Sequence, residues 1–189
     1  MGREFELKYR ATEPQLAAIQ AAFSGFSPIT METTYYDTPD GDLSRLRWTL
    51  RRRYENGKAV CTMKTPEVDG LRGEWEALCD SIEDSVSELC KLGAPEELAS
   101  LAAKGLIPSC GAKFTRMAAL VEAGGCTLEI ALDRGILRSA TKEIPLAEAE
   151  VELKAGSEEA ARAFAENLAA RFGLVPEPKS KVLRAMELK

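Results

Sequence analysis

Hydrophobic and polar positions alternate with a period of two over much of this chain, and that rhythm predicts strands. In Arg3-Glu4-Phe5-Glu6-Leu7-Lys8-Tyr9-Arg10, Glu4, Glu6 and Lys8 share one face while Phe5, Leu7 and Tyr9 share the other. The same Glu-x-Glu-x-Lys order returns at Glu150-Val151-Glu152-Leu153-Lys154. There a strand over 141–154 sets Glu148, Glu150 and Glu152 against Ala149, Val151 and Leu153. Further strands are predicted over 48–54 and 58–64, joined by the hairpin pair Asn56-Gly57. Another spans 71–78, with Glu74 and Glu76 opposite Trp75, and two more, 113–122 and 127–137, flank Gly124-Gly125. A last strand is expected over 179–187.

Helical spacing interrupts this rhythm three times. Leu16, Ile19, Ala22 and Phe23 follow a start signal made of Thr12, Pro14 and Gln15. The stretch 81–105 starts at Ser81, stops at Gly93, restarts at Pro95 and stops at Gly105. A third run begins at Ser157, turns Phe164, Leu168 and Phe172 inward and ends at Gly173. Eight or nine strands joined mostly by hairpins make a largely antiparallel α+β protein, its amphipathic helices covering the apolar sheet face. The charged faces then turn to water or into the lumen of a closed barrel.

Composition narrows the chemistry more than the fold. The 189 residues, 45% of them hydrophobic, suit one domain over 1–189 with a substantial core. Histidine is absent, which removes Cys/His zinc sites, histidine bases and Ser-His-Asp triads together. The five cysteines are odd in number and lack a Cys-x-x-Cys pair, as suits reduced thiols in a cytoplasm. No apolar stretch approaches the roughly 20 residues of a membrane helix, and the chain opens on a charged strand rather than a leader. The expected location is therefore cytoplasmic, with no membrane partner. Lys and Arg number 25 against 30 Asp and Glu, a mixed balance that argues against a general nucleic-acid surface.

The charges nevertheless gather on strand faces, and with both signs. Arg51 and Arg53 share a face with Thr49, and Lys64 on the return strand can join them. A polyphosphate needs several Arg and Lys for its oxygens, together with Mg²⁺ or Mn²⁺ held by carboxylates. Paired glutamates for metal and Arg/Lys for phosphate are the two halves of a metal-assisted phosphoryl-transfer site, in which a metal-activated water attacks. There is no Gly-x-x-x-x-Gly-Lys-Ser/Thr loop, so a P-loop enzyme is excluded.

The sequence resembles the CYTH-domain proteins of the triphosphate tunnel metalloenzyme superfamily. The matching pieces are Glu4-Phe5-Glu6-Leu7-Lys8, Tyr35-Tyr36-Asp37-Thr38-Pro39, Leu50-Arg51-Arg52-Arg53, Thr62-Met63-Lys64 and Glu74-Trp75-Glu76. Phe114-Thr115-Arg116, Leu128 to Asp133, Glu150-Val151-Glu152-Leu153 and Ser180-Lys181 follow in the family's order. The resemblance implies a closed eight-stranded antiparallel β-barrel tunnel, with helices outside, that binds a triphosphate with Mg²⁺ or Mn²⁺. By matching position it makes Glu4, Glu6, Glu150 and Glu152 metal ligands. Lys8, Arg51, Arg53, Lys64, Arg116 and Lys181 become phosphate-holding groups. Glu74, Glu76, Glu129 and Asp133 line the tunnel, with Glu4, Glu6, Lys8, Glu76 and Asp133 the catalytic set.

Two departures stand out. Phe114 occupies a position where many members carry a second basic residue, though Lys113 is adjacent. The run Glu148, Glu150, Glu152 leaves open which glutamate completes the second pair. Members of this superfamily hydrolyse inorganic, thiamine or nucleoside triphosphates, or cyclise ATP. The class IV cyclases carry a His-Phe element before the signature, and here only three residues precede Glu4 and none is histidine. Hydrolysis of inorganic triphosphate to pyrophosphate and phosphate is the leading expectation. Thiamine-triphosphatase or nucleoside triphosphatase, adenylate cyclase and a non-catalytic polyphosphate- or nucleotide-binding module are the alternatives. The oligomeric state is left open.

Overall fold

Both predicted hairpins form where backbone chemistry demands them. Asn56 and Gly57 have φ of 49° and 83°, and Gly124 and Gly125 have 59° and 75°. Positive φ at both central residues is the two-residue turn that matches the twist of the flanking strands. The computed structural model describes residues 5–68 and 71–188. Its strands are β1 (Glu6–Arg10), β2 (Ser27–Asp37), β3 (Thr49–Glu55), β4 (Lys58–Val68), β5 (Leu71–Leu78), β6 (Ile107–Ala123), β7 (Cys126–Arg138), β8 (Glu143–Ala155) and β9 (Val175–Pro176). Its helices are α1 (Glu13–Ala22), α2 (Asp42–Arg45), α3 (Ile82–Lys91), α4 (Glu97–Ala102), α5 (Glu158–Phe172) and α6 (Lys181–Met186).

The strands make one sheet in the order β5-β4-β3-β2-β6-β7-β8-β1-β9. This is an α+β protein with a large antiparallel sheet, as expected, but its hydrogen-bonded order does not return on itself. Among the described residues the hydrogen-bonded order is an open one of nine strands, and hydrogen bonds do not close the expected eight-stranded barrel. The ninth is short: β9 takes up the outer edge of β1, with Tyr9 opposite Pro176 and Arg10 opposite Val175.

The strand expected over 179–187 is corrected. Residues from Lys181 to Met186 form α6, which buries Ala185. Lys, Leu, Arg, Ala and Met all favour helix, and six residues carry too few positions for a period to assert itself.

The chain divides into two compact units. The first comprises Met1–Ile29, Phe114–Ile136 and Ile144–Ser180. Its core joins Tyr9 of β1, Leu128, Ile130 and Leu132 of β7, and Ala149 and Val151 of β8 to Leu16 and Ile19 of α1 and Ala161, Ala165 and Leu168 of α5. The helix starts are anchored as the sequence indicates. Gln15 Oε1 accepts the Thr12 N–H at 2.8 Å, and Ser157 Oγ accepts the Ala160 N–H at 3.1 Å. Phe164 of α5, expected inward, is only partly buried and meets Phe23 edge-on, with centroids 6.2 Å apart.

The second unit comprises Thr30–Lys113, Leu137–Glu143 and Lys181–Lys189. Leu50 of β3 and Cys61 and Met63 of β4 pack with Ile82, Val86 and Leu89 of α3 and Leu98 of α4. Trp75 folds back over its own strand, and glycine at 73 permits it, because a Cβ there would sit 2.3 Å from the Trp75 ring. In both units the alternation that buries one strand face leaves the opposite face polar.

Candidate active site

In the first unit the polar face of β1 lies against that of β8. Glu6 stands opposite Glu152, Lys8 opposite Glu150 and Arg10 opposite Glu148. Directly opposite residues of an antiparallel pair point to the same side. The Glu6–Glu152 row is therefore a like-charge pair, and the next two rows are of opposite sign. Lys8 Nζ lies 3.9 Å from Glu6 Oε1, and Lys154 Nζ lies 2.8 Å from Glu152 Oε2 and 3.8 Å from Glu129 Oε1.

Two of these glutamates belong to a buried acidic group. Asp133 of β7 and Glu148 and Glu150 of β8 are all buried, and each offers a carboxylate oxygen within 4.8 Å of the others. Arg116 stands among them. Arg116 donates from Nε to Asp133 Oδ1 and from Nη2 to Asp133 Oδ2, both at 2.8 Å, and Nη2 also reaches Glu150 Oε2. Burial alone would lower the pKa of this guanidinium. The Asp133 hydrogen bonds and the charges of Glu150, Asp133 and Glu6 outweigh that, so it is held above its ordinary value. Its Cζ also lies over the Phe114 ring, 5.9 Å from the centroid.

In the second unit three rows run across the strands between β2 and β5. Tyr35, Arg51, Thr62 and Glu76 form one, Thr49, Lys64 and Glu74 the next, and Thr33, Arg53 and Val60 a third. Lys64 Nζ is closely paired, 2.7 Å from Glu74 Oε1. Arg51 is not. Its nearest described acid oxygen, Glu76 Oε1, is 3.9 Å away on a side chain 53% exposed, whereas Arg51 is 13% exposed and its Nε is buried without a hydrogen bond. Glu76 Oε1 is taken instead by the Thr62 hydroxyl at 3.0 Å. Arg53 Nε donates to Thr33 Oγ1 at 3.3 Å. Burial first, and then the like charge of Arg51, pull the Arg53 pKa below its ordinary value, and Tyr35 and Glu55 offset this only in part.

The CYTH domain family profile matches residues 2–186. The chain belongs to the CYTH-domain family. An inorganic triphosphatase of Haemophilus influenzae is 32% identical over 137 residues, covering 71% of this chain and 39% of that protein, so the chain spans well under half of that relative's length. The PH1819 protein of Pyrococcus horikoshii has a TM-score of 0.65 at 23% identity, covering 99% of this chain and 100% of that one. HpAC1 of Hippeastrum, described as a candidate adenylyl cyclase that reveals a dominant triphosphatase activity, has a TM-score of 0.68 at 19% identity over 99% and 98% of the two chains. At these identities the structural likeness speaks for the fold.

The CYTH signature residues fall unevenly among these groups. Glu6, Lys8, Arg116, Glu129, Asp133, Glu150 and Glu152 all lie in the first unit, and Arg51, Arg53, Lys64, Glu74, Glu76 and Lys181 in the second. Glu4 lies outside the described residues. Glu148, which the spacing could not rank against Glu152, is the one gathered with Asp133 and Glu150, while Glu152 pairs with Lys154. Lys181 opens α6 rather than sitting on a strand. Lys113 pairs with Glu32 at 3.8 Å, on which Arg138 also converges at 3.4 Å, and neither Glu32 nor Arg138 carries a motif signal.

One signature piece is scaffolding. In Tyr35-Tyr36-Asp37-Thr38-Pro39 the buried Asp37 carboxylate accepts N–H bonds from Thr38 at 2.8 Å and Leu43 at 2.9 Å, tying the turn to the start of α2. Thr38 Oγ1 donates to Asp42 Oδ2 at 2.8 Å and accepts the Asp42 N–H at 2.9 Å. No helix among the described residues is long and apolar enough to cross a membrane.

Proposed function

We propose that this CYTH domain, taken as one functional domain over 1–189, hydrolyses inorganic triphosphate to pyrophosphate and phosphate with Mg²⁺ or Mn²⁺. The observation that carries the reading is the Arg51–Arg53 pair. Two half-buried arginines share one strand face, Arg51 with an Nε that makes no hydrogen bond and Arg53 with Thr33 and Glu55 at 3.3 Å, and together they offer donors to an anion with several oxygens. The Haemophilus relative supports inorganic triphosphate as that anion.

In this reading Arg51, Arg53, Lys64, Arg116, Lys8 and Lys181 bind the non-bridging oxygens. Glu74 orients Lys64 from the neighbouring strand, and Glu76, held by Thr62, lies two strands from Arg51. The metal ligands are drawn from Glu4, Glu6, Glu150 and Glu152, joined by the buried Asp133 and Glu148. Their donors fit the ion: all are carboxylate oxygens, the hard ligands that Mg²⁺ and Mn²⁺ take, with no imidazole or thiolate among them. A bound divalent ion would neutralise phosphate charge and make a water more acidic. The closed tunnel implied by the family resemblance belongs to this proposal, as does a cytoplasmic location.

The test is phosphate release from tripolyphosphate, thiamine triphosphate and ATP, with Mg²⁺ or Mn²⁺ and again with EDTA. Preferential, EDTA-sensitive release from tripolyphosphate, lost in Glu6→Ala and Lys8→Ala, is the expected result. Release that persists in both variants would overturn it. Preference for thiamine triphosphate or ATP would move the substrate assignment. Cyclic AMP with pyrophosphate from ATP would mark a cyclase, and binding without turnover a binding module.

A further inference from the structure

Two neighbouring rows of the second unit set a cation and an acid on one sheet face, and they close differently. In one, Lys64 of β4 stands opposite Glu74 of β5, and the two side chains meet at 2.7 Å. In the other, Arg51 of β3 and Glu76 of β5 stand on either side of Thr62, which is opposite both. Thr62 Oγ1 donates to Glu76 Oε1 at 3.0 Å, and that same oxygen stays 3.9 Å from Arg51 Nη2. We propose that Thr62 is a positioning residue, whose hydroxyl holds the Glu76 carboxylate off Arg51 and keeps that guanidinium open to the substrate anion. The inference rests on the reading above, that Arg51 binds a triphosphate.

Three observations support it. The first is competition for one atom. The acid oxygen that Thr62 binds is the one that approaches Arg51, and at 3.9 Å it is beyond hydrogen-bond reach. The Lys64–Glu74 contact shows how closely a pair on this face comes together when no hydroxyl intervenes.

The second is burial. Thr62 is 1% exposed, so its hydroxyl needs an acceptor within the protein, and Glu76 supplies it. The Glu76 side chain is 53% exposed, a long and otherwise mobile group that a fixed donor holds in one place.

The third is the state of Arg51. Its side chain is 13% exposed and its Nε is buried without a hydrogen bond, a donor that an anion would satisfy. Glu76, once released from Thr62, is placed to approach that guanidinium. A phosphate oxygen would then have to displace it. Loss of the hydroxyl therefore weakens substrate binding and leaves the chemical step alone.

The experiment compares wild type, Thr62→Val, Thr62→Ser, Glu76→Gln and Thr62→Val/Glu76→Gln. Valine keeps the β-branched shape that suits a strand and removes the hydroxyl. Tripolyphosphate affinity is measured by calorimetry in EDTA, where metal-dependent turnover stops. Thr62→Val should weaken binding about three- to fivefold, the size of a partly exposed ion pair. Its kcat with Mg²⁺ should stay within about twofold of wild type, with the change in KM. Thr62→Ser, which keeps the hydroxyl, should stay near wild type. In the Glu76→Gln background the Thr62→Val change should cost less than about twofold, because the competing acid is gone.

Equal weakening with and without Glu76 would make Thr62 a packing residue and overturn the proposal. Unchanged affinity in a folded Thr62→Val protein would do the same. The Arg51 Nε–Hε resonance reads the contact with no ligand present. It should move in Thr62→Val and return towards wild type in Thr62→Val/Glu76→Gln, and a signal that stays put in both would overturn the proposal. A wild type that neither binds nor hydrolyses tripolyphosphate removes the triphosphatase reading, while the resonance still decides whether Thr62 holds Glu76 off Arg51.

Discussion

The two units are built alike and settle their charges differently. Each presents a strand face whose apolar side is covered by helices and whose other side carries ionised groups. In the first unit Arg116 is tightly engaged, meeting Asp133 through two bonds and touching Glu150 as well. In the second the pairing is looser around the half-buried arginines: Arg53 reaches Glu55 at 3.3 Å, while Lys64 keeps Glu74 at 2.7 Å. Arg51 and Arg53 are same-face neighbours, and the nearest described acid to Arg51 is 3.9 Å away on a half-exposed side chain. A tightly made pair is costly to break from one side, whereas a loosely paired cation keeps donors for an anion.

The sharpest way to break this comparison is to remove the anion from the closed network. Asp133→Ala leaves the largely covered Arg116 guanidinium with only part of its counter-charge, and breaking a buried pair from one side costs about 3–5 kcal/mol. Chemical denaturation should register most of that loss, and a cost under about 1 kcal/mol would mean the network is no more than a surface pair.

Arg51→Ala should do the reverse. Its Nε already lacks a hydrogen bond, so truncation removes an unsatisfied buried donor and stability should stay within about 1 kcal/mol of wild type. Turnover is where it is felt: kcat/KM for tripolyphosphate should fall by about a hundredfold, much of it through KM. A variant that melts early but retains its KM would make Arg51 a structural residue, and the contrast between the units would fail.

The sequence disclosed faces well and neighbours poorly. Alternation alone separates Glu148, Glu150 and Glu152 from Ala149, Val151 and Leu153, because the period of two is local. Which glutamate meets which partner depends on pairing between β1 and β8, some 140 residues apart, and no local signal carries that. Glu129 and Asp133 likewise share a face, yet only Asp133 is buried against Arg116, while Glu129 reaches Lys154. Asp37 sits in a family signature and would pass for a site residue by position alone. Its bonds to backbone N–H groups of the following turn show it holding a loop. The α6 segment was misread for the opposite reason, since its periodicity is too short to count.

The smallest predicted effect belongs to that same loop and concerns pH. Asp42, whose ordinary value is 3.8, is held lower in the fold, first by its hydrogen bond from Lys104 and then by that from Thr38. A carboxylate whose folded pKa is depressed contributes stability that is present above the unfolded value and lost as pH falls towards the folded one. Wild type should therefore lose more stability between about pH 5 and about pH 3 than Asp42→Asn does. The difference should be modest, because Lys104 and Arg45 are half exposed or more and water screens them. Denaturation midpoints at several pH values, for wild type, Asp42→Asn and Lys104→Met, provide the check. If both variants lose stability in acid as steeply as wild type, the Lys104–Asp42 contact is not what holds the carboxylate ionised, and the loop owes its order to Asp37 alone.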